Sequence, residues 1–319
     1  GYCTMIPNFQ AEDIRPHLTI EALIPSAEEA LRAIAADTAQ TPLFILHPNS
    51  WSDIHVKSAA LPDCPIFTVK MAGWSQKLAQ RGEPASSGMI AVFDSETCRP
   101  VAILNDNHLI SDYRTAAAGA VAVGLLAPKT ARHALLIGTG VQALLQAQAL
   151  LSVRPIESLD IWGRDTTKAS AMAGQLRTIY PNINIKTETD LSRSAPLVDV
   201  IIMATNAKEP VLRADWVRPG QHITSVGSDD ATKCELDPRI LASGRVFVDS
   251  KKSAQAFGST RRALDQGIID LDHITEMGAA LEHGSFDADG AMTIACLTGL
   301  GVQDLTAVNH IWPYLLKEY

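Results

Sequence analysis

Residues 133 to 143, His-Ala-Leu-Leu-Ile-Gly-Thr-Gly-Val-Gln-Ala, constrain the fold more than any other stretch of this chain. An apolar strand ends at Gly138, Gly140 follows, and an alanine-rich helix begins at once. Gly138 permits a tight turn, Gly140 lets the backbone approach a diphosphate, and Ala143 lets helix and strand pack closely. The diphosphate would rest on the N–H groups that open the helix, with Val141 and Gln142 in its first turn. An ordinary strand-to-helix turn can use the same glycines, so the surrounding rhythm has to decide.

That rhythm is alternation. Strands are predicted at 133–138, 158–162, 183–187 and 198–204, helices at 141–152 and 166–179, and further strands at 222–227 and 245–249. Alternating strands and helices imply a parallel, doubly wound sheet. Val198–Met203 is apolar on both faces, as a central parallel strand should be. A helix starting at Asp112 and running to about Leu126 leads into this region.

The first hundred residues lack the pattern. They show a helix at 26–38, capped by Ser26 with Glu29 completing a capping box, and strands at 65–71, 89–94 and 100–105. After residue 250 the text turns helical, and 301–317 reads as a final helix with Leu305, Val308, Trp312 and Leu315 at helical spacing. A chain of 319 residues suggests two domains of roughly 150 residues each. The expected fold is α/β. A Rossmann doubly wound parallel sheet over 114–298 would bind NAD(P), beside a discontinuous α+β domain formed by 1–113 with 299–319.

Composition narrows the function classes. The net charge is −8 with no basic block, which argues against a nucleic-acid partner. Apolar runs are broken by charge or glycine before roughly 18 residues, so no membrane span is expected. The N-terminus shows no basic-then-apolar signal pattern. The five cysteines (Cys3, Cys64, Cys98, Cys234, Cys296) are scattered without a CxxC and read as free thiols of a reducing cytoplasm. The histidines lack metal-ligand spacing, and no metal site is expected.

The second strand of the alternating region bears on the cofactor. The acid that holds a ribose diol normally ends that strand. Here the sequence is Leu159-Asp160-Ile161-Trp162, then Gly163-Arg164-Asp165-Thr166-Thr167. Asp160 lies inside the strand and should point away, Gly163 holds the usual acid position, and Arg164 suits a 2′-phosphate with Thr166 or Thr167 as hydroxyl donors. NADP(H) is favoured, while Asp165 keeps NAD(H) possible.

Three stretches offer polar groups for a hydride-transfer site: Phe67–Met71, which carries Lys70; Asp112–Thr115; and Val226-Gly227-Ser228-Asp229-Asp230 after a predicted strand. Taken singly, each residue suits a salt bridge or a helix cap as well.

Taken together they resemble the ornithine cyclodeaminase/μ-crystallin family. The resemblance is carried by Lys70, by Arg114-Thr115-Ala116-Ala117, and by Gly138-Thr-Gly140-Val-Gln142-Ala143. It continues through Gly227-Ser228-Asp229 with Lys233 and Glu235-Leu236, and through Thr298-Gly299-Leu-Gly301-Val-Gln-Asp304. It spans about residues 25 to 317. The stretch from Lys57 through Gly73-Trp74-Ser75, with Ser86-Ser87-Gly88, is similar to the branch associated with ectoine utilisation.

The resemblance implies that Lys70 binds the substrate carboxylate or activates the reacting nitrogen, and that Asp229 is the acid/base. Arg114 and Thr115 would sit beside the cofactor phosphates, with Arg114 able to reach the substrate carboxylate. Ser86 or Ser87 would stand near the nicotinamide, and Thr205, Val226, Lys233 and Thr298 would line the cofactor. The resemblance also implies that the discontinuous domain, 1–113 with 299–319, binds substrate and dimerises, giving a homodimer that acts on a small imino or amino acid.

Two departures qualify the match. The stretch Thr41–Pro48 contains no arginine where cyclodeaminases place a substrate-binding one, and Ala231-Thr232 replace the usual Pro-Gly after the aspartate. Both argue against ornithine. Lys57, His47 or His55 could replace the missing arginine, and Trp74 could roof the substrate. The preferred reading is an NAD(P)H-dependent reductase of a small ketimine acid, or the reverse amino-acid dehydrogenase. The alternatives are ammonia-releasing cyclisation of a diamino acid and NADP-dependent binding of a small molecule without catalysis.

Overall fold

Two sheets organise the chain, and opposite kinds of sequence pattern build them. The computed structural model describes residues 5–284 and 286–319. It divides into two units: the chain up to Arg114 together with Leu300–Tyr319, and Thr115–Gly299. The boundary on the N-terminal side falls inside the helix Leu109–Leu126.

The first unit holds a six-stranded sheet. Its strands are β1 (Asn8–Gln10), β2 (Leu43–Asn49), β3 (Ser52–Ala59), β4 (Ile66–Ser75), β5 (Ser86–Asp94) and β6 (Pro100–Asn105), in the order β1-β6-β5-β4-β3-β2. β1 runs parallel to β6 and the other pairs are antiparallel. Lys57 stands directly opposite Lys70, and Lys70 opposite Ile90, so strand alternation puts all three on one face. Helices α1 (Ile20–Ala35) and α5 (Gly301–Glu318) pack against each other, and α5 lies against β3 and β4.

Helix α1 starts six residues before the predicted Ser26 cap. Thr19 is the N-cap, its hydroxyl accepting from the Ala22 N–H at 3.1 Å, and Pro25 lies inside the helix. Ser26 is instead buried in the helix interior. Strands β1, β2 and β3 were not among the expected elements, and β4 runs four residues past its expected end.

The second unit is built on buried strands: β7 (His133–Ile137), β8 (Ser158–Trp162), β9 (Asn184–Thr187), β10 (Val200–Met203), β11 (His222–Ser225), β12 (Arg245–Val248), β13 (Ile274–Glu276) and β14 (Thr293–Cys296). They form one parallel sheet in the order β13-β12-β14-β11-β10-β7-β8-β9. The doubly wound expectation holds, and β13 and β14 extend the sheet into the region read as helical.

Alternate residues feed two cores. Leu135, Ile137, Ile201, Met203 and Ile223 face one, and Ala134, Leu136, Leu159, Val200 and Ile202 face the other. The second core is completed by Ala143, Ala147 and Leu150 of α3 (Val141–Val153) and by Ala169, Met172 and Leu176 of α4 (Thr166–Ile179). From β7 the chain winds outward to β9 and then returns to β10 on the other side of β7. Strand order therefore reverses between β7 and β10, where doubly wound sheets bind ligands beyond the strand ends.

Helix α2 (Leu109–Leu126) has a mean hydropathy of 1.2, and Asp112 and Arg114 interrupt its apolar run. Its window is 67% buried inside the protein, as for a core helix.

Candidate active site

In the second unit the glycine turn takes the form that a dinucleotide cradle requires. Gly138 has φ +133°, and a Cβ there would lie 2.2 Å from the Ala204 carbonyl oxygen. Only glycine fits that approach between the ends of β7 and β10. A Cβ at Gly140 would meet nothing within 4 Å, so the backbone there faces open space. Gly140 is also the N-cap of α3 and has no side chain to bond the first-turn N–H groups. Val141 is exposed, Gln142 is half-buried, and Ala143 is fully buried beneath the turn. These residues fit a dinucleotide's diphosphate on physical grounds.

In the middle of β8, Asp160 accepts from Ser194 Oγ at 2.8 Å and lies 3.9 Å from Lys186 Nζ. Gly163 is forced by crowding, since a Cβ would meet Thr139 at 2.5 Å. Arg164, Asp165 and Thr166 are exposed. Asp165 Oδ1 caps α4, accepting from the N–H groups of Thr167 at 2.9 Å and Lys168 at 3.3 Å.

The ends of β10 and β11 carry the next group. Thr205 and Gly227 both bond to Glu235, and the Val226 N–H donates to the Met203 carbonyl at 3.0 Å. Asp229 is half-buried and pairs with Lys233 Nζ at 2.8 Å. Thr298, beyond β14, donates from its N–H to Asp249 at 2.9 Å and from its hydroxyl at 3.2 Å. Burial pushes the Asp249 carboxyl up, against the N–H groups that bond it.

The first unit contains a buried ionic cluster that the sequence reading assembled only in part. Lys70 Nζ donates to Ser111 Oγ at 2.8 Å and to Asp304 Oδ1 at 3.1 Å, and lies 3.0 Å from Oδ2. Arg114 donates from Nε to Asp304 Oδ1 at 2.8 Å and from Nη1 to Gln303 Oε1 at 3.3 Å. Lys57, Lys70, Arg114 and Asp304 are all buried.

Burial pulls Lys70 down to about 7; Asp304 opposes the shift, and the charges of Arg114 and Lys57 add to it. Burial alone would raise Asp304, but Lys70, Arg114 and Lys57 hold its carboxyl at about 2. Asp106 accepts from the Ile110 N–H at the start of the helix bearing Ser111 and Arg114, and burial pushes it up to about 6. Among the described residues, Gln303 Nε2 is a buried polar atom without a hydrogen-bond partner, while Asp304 Oδ2 has the Lys70 ammonium beside it at 3.0 Å. A polar ligand or a water would satisfy the Gln303 amide.

Asp304, Gln303, Ser111 and Asp106 were not singled out for the site. Asp304 and Gln303 lie in the tail motif, but their partners are near 190 and 234 residues away, and local spacing cannot reveal them. Arg114 is directed at Asp304 and Gln303, and the Thr115 carbonyl accepts from Gln146 Nε2 at 3.0 Å. The pleat separates the two candidate serines. Ser86 shares the face of Lys70, and Ser87 stands on the opposite face. His47 is exposed, and His55 lies 3.4 Å from Asp53. Trp74 is half-buried on the face of Lys70. Cys3 lies outside the described residues; Cys64, Cys98, Cys234 and Cys296 are free thiols. Among the described residues no three His, Cys, Asp or Glu side chains gather as metal ligands.

The chain is similar to known proteins over most of its length. The profile of the ornithine cyclodeaminase/mu-crystallin family matches residues 7–318. An uncharacterized cyclodeaminase of Sinorhizobium fredii is 36% identical over 289 residues, covering 88% of this chain and 87% of that protein. Iminosuccinate reductase of Paracoccus denitrificans is 32% identical over 226 residues, covering 70% of this chain and 68% of the relative. The structure of Thermococcus litoralis Delta(1)-pyrroline-2-carboxylate reductase in complex with NADH and L-proline matches with a TM-score of 0.92, 26% identity and 98% coverage of both chains.

Proposed function

The chain belongs to the ornithine cyclodeaminase/mu-crystallin family, and on that premise we propose that it is a nicotinamide-dependent oxidoreductase acting on the C=N bond of a small 2-imino acid, or on the matching amino acid in reverse. The observation that carries this reading is the buried cluster around Asp304. Lys57, Lys70 and Arg114 are three buried basic side chains around the fully buried Asp304 carboxylate. With Asp106, pushed up to about 6, also ionised at neutral pH, at most one positive charge is left in excess while Lys70 is protonated. A buried excess of positive charge calls for an anion. The carboxylate of a small imino acid supplies it and leaves the C=N carbon held in one orientation.

A bound nicotinamide cofactor would supply a hydride to that carbon. Gly138, Gly140, Val141 and Gln142 would hold its diphosphate, and Thr205, Val226, Gly227, Lys233 and Thr298 would line it. Asp229 delivers the proton to the nitrogen, and Lys233 at 2.8 Å holds its carboxyl. NADP(H) is the preferred form. Gly163 leaves no acid for a ribose diol, Asp165 Oδ1 is occupied as a helix cap, and Arg164 is exposed to take a 2′-phosphate.

The functional assembly in this reading is a homodimer. Phe44, Leu46 and Met71, on the sheet face opposite Lys70, are 55%, 53% and 36% exposed, an apolar surface suited to a second copy.

The test is oxidation of NADPH with a panel of imines formed from 2-oxo acids and amines. Asp229→Asn should lower turnover by roughly 10²-fold or more while retaining the cofactor. Absence of turnover across the panel overturns the reading. The rhizobial relative's name favours a second reading, ammonia-releasing cyclisation of a diamino acid, which incubation with a diamino acid and the oxidised cofactor would show as ammonia release without net change of the cofactor.

A further inference from the structure

One buried side chain ties together the ends of β10 and β11. Glu235 is fully buried. Its Oε2 accepts from Ser225 Oγ and from the Gly227 N–H, both at 2.6 Å. Its Oε1 accepts from the Thr205 N–H at 2.9 Å and from Thr205 Oγ1 at 3.0 Å. Its own backbone N–H donates to Ser228 Oγ at 3.1 Å. The loop 226–235 is thereby closed into a ring, with one residue bonded at both ends of it and to the neighbouring strand's end.

Gly227 makes the closure sterically possible. A Cβ there would lie 2.0 Å from the Thr205 carbonyl oxygen and 2.5 Å from Glu235 Oε1. Inside the ring, Asp230 Oδ1 accepts from the N–H groups of Thr232 at 2.7 Å and Lys233 at 2.9 Å, and Lys233 Nζ meets Asp229. The Gly258 N–H donates to the Asp230 carbonyl at 3.1 Å and secures the outer side of the loop.

We propose that Glu235 is the positioning residue for Asp229. By fixing Ser225, Gly227, Ser228 and Thr205 at once, it sets the direction in which the Asp229 carboxyl leaves the sheet. The inference rests on the reading of Asp229 as proton donor. Glu235 needs no contact with substrate for this, because it acts through the backbone on either side of Asp229.

Glutamine is the discriminating substitution. It keeps the volume, so a residue that only fills space would tolerate it. However the amide turns, its NH₂ faces either the Thr205 N–H or the Gly227 N–H, two donors with no acceptor between them. One tie is lost in either orientation.

The experiment compares Glu235→Gln, Asp229→Asn and the native full-length chain. The readouts are kcat and KM for imine reduction and deuterium exchange of the amides in 226–234. Glu235→Gln should lower kcat by about 10- to 100-fold, the loss expected for a misplaced catalytic group, with KM for the imine within about threefold. Exchange in the loop should quicken. Native kcat and native exchange in Glu235→Gln, with Asp229→Asn inactive, overturn the inference alone. Native kcat in Asp229→Asn overturns the proton-donor reading on which it rests. If Glu235→Gln does not fold, Ser225→Ala takes its place, removing one of the four bonds to the carboxylate. It should lower kcat by about threefold or more at unchanged KM, and an unchanged kcat there overturns the inference.

Discussion

Replacing Asp304 by asparagine tests the buried cluster without changing its volume. In the native chain the carboxylate faces Lys70 at 3.0 Å and Arg114 at 2.8 Å, and none of the three side chains is more than 7% exposed. Breaking a buried ion pair from one side typically costs about 3–5 kcal/mol, because the remaining charge stays buried. Asparagine retains one acceptor, so the lower end of that range applies, about 3 kcal/mol. At about 3 °C per kcal/mol for a unit of this size, the melting temperature should fall by about 9 °C.

The pH dependence sharpens this prediction. Lys70 discharges through about 7, so above that pH the native chain loses one of the two attractions that asparagine removes. The stability gap between native and Asp304→Asn should therefore be wider at about pH 6 than at about pH 9. Urea unfolding followed by tryptophan fluorescence at both pH values measures it. A gap below about 1 kcal/mol, or one equal at the two pH values, would show that the cluster is not the electrostatic unit described above.

Three further outcomes follow from the same geometry. Gly138→Ala should cost about 3 kcal/mol or more and abolish cofactor binding, since the new Cβ would overlap the Ala204 carbonyl; a native melting temperature would refute this. Arg164→Ser should weaken NADPH by about 10- to 100-fold in a fluorescence titration, the worth of a charge-assisted hydrogen bond, and leave NADH within about threefold. Equal losses for both cofactors would remove Arg164 from the 2′-phosphate. Affinity for the substrate carboxylate should fall as pH rises through about 7, because the Lys70 ammonium is present below that value and lost above it. Lys70→Met should flatten the profile, and an unchanged profile would assign the titration elsewhere.

What could be read from the sequence was local in its physics. The crook at Gly138 and Gly140 depends on a backbone angle and an uncapped helix start, both written within ten residues. β10 was legible because a central parallel strand is apolar on both faces. β2 and β3 were not. β3 turns Asp53, His55 and Lys57 to the face carrying the ionic cluster, β2 exposes Phe44 and Leu46 on the other, and Pro42 and Pro48 interrupt the pattern. Pro25 hid the first turns of α1, since a proline usually marks a helix start, while the actual cap is Thr19. β13 has three residues, too short for a periodic signal, and β14, as long as β10, opens on Thr293 and carries only Ile294 as a large aliphatic residue. Asp304 was visible as a motif residue, but its role depends on Lys70 and Arg114, and only the fold brings them to it.

The most direct test of the central claim follows a labelled hydride. NADPH carrying deuterium at both C4 positions is consumed with an imine formed from a 2-oxo acid, and the product is examined by mass spectrometry. The account predicts deuterium on the α-carbon of the amino acid, one for each cofactor oxidised. Ammonia release with the cofactor unchanged, or product without the label, would contradict it.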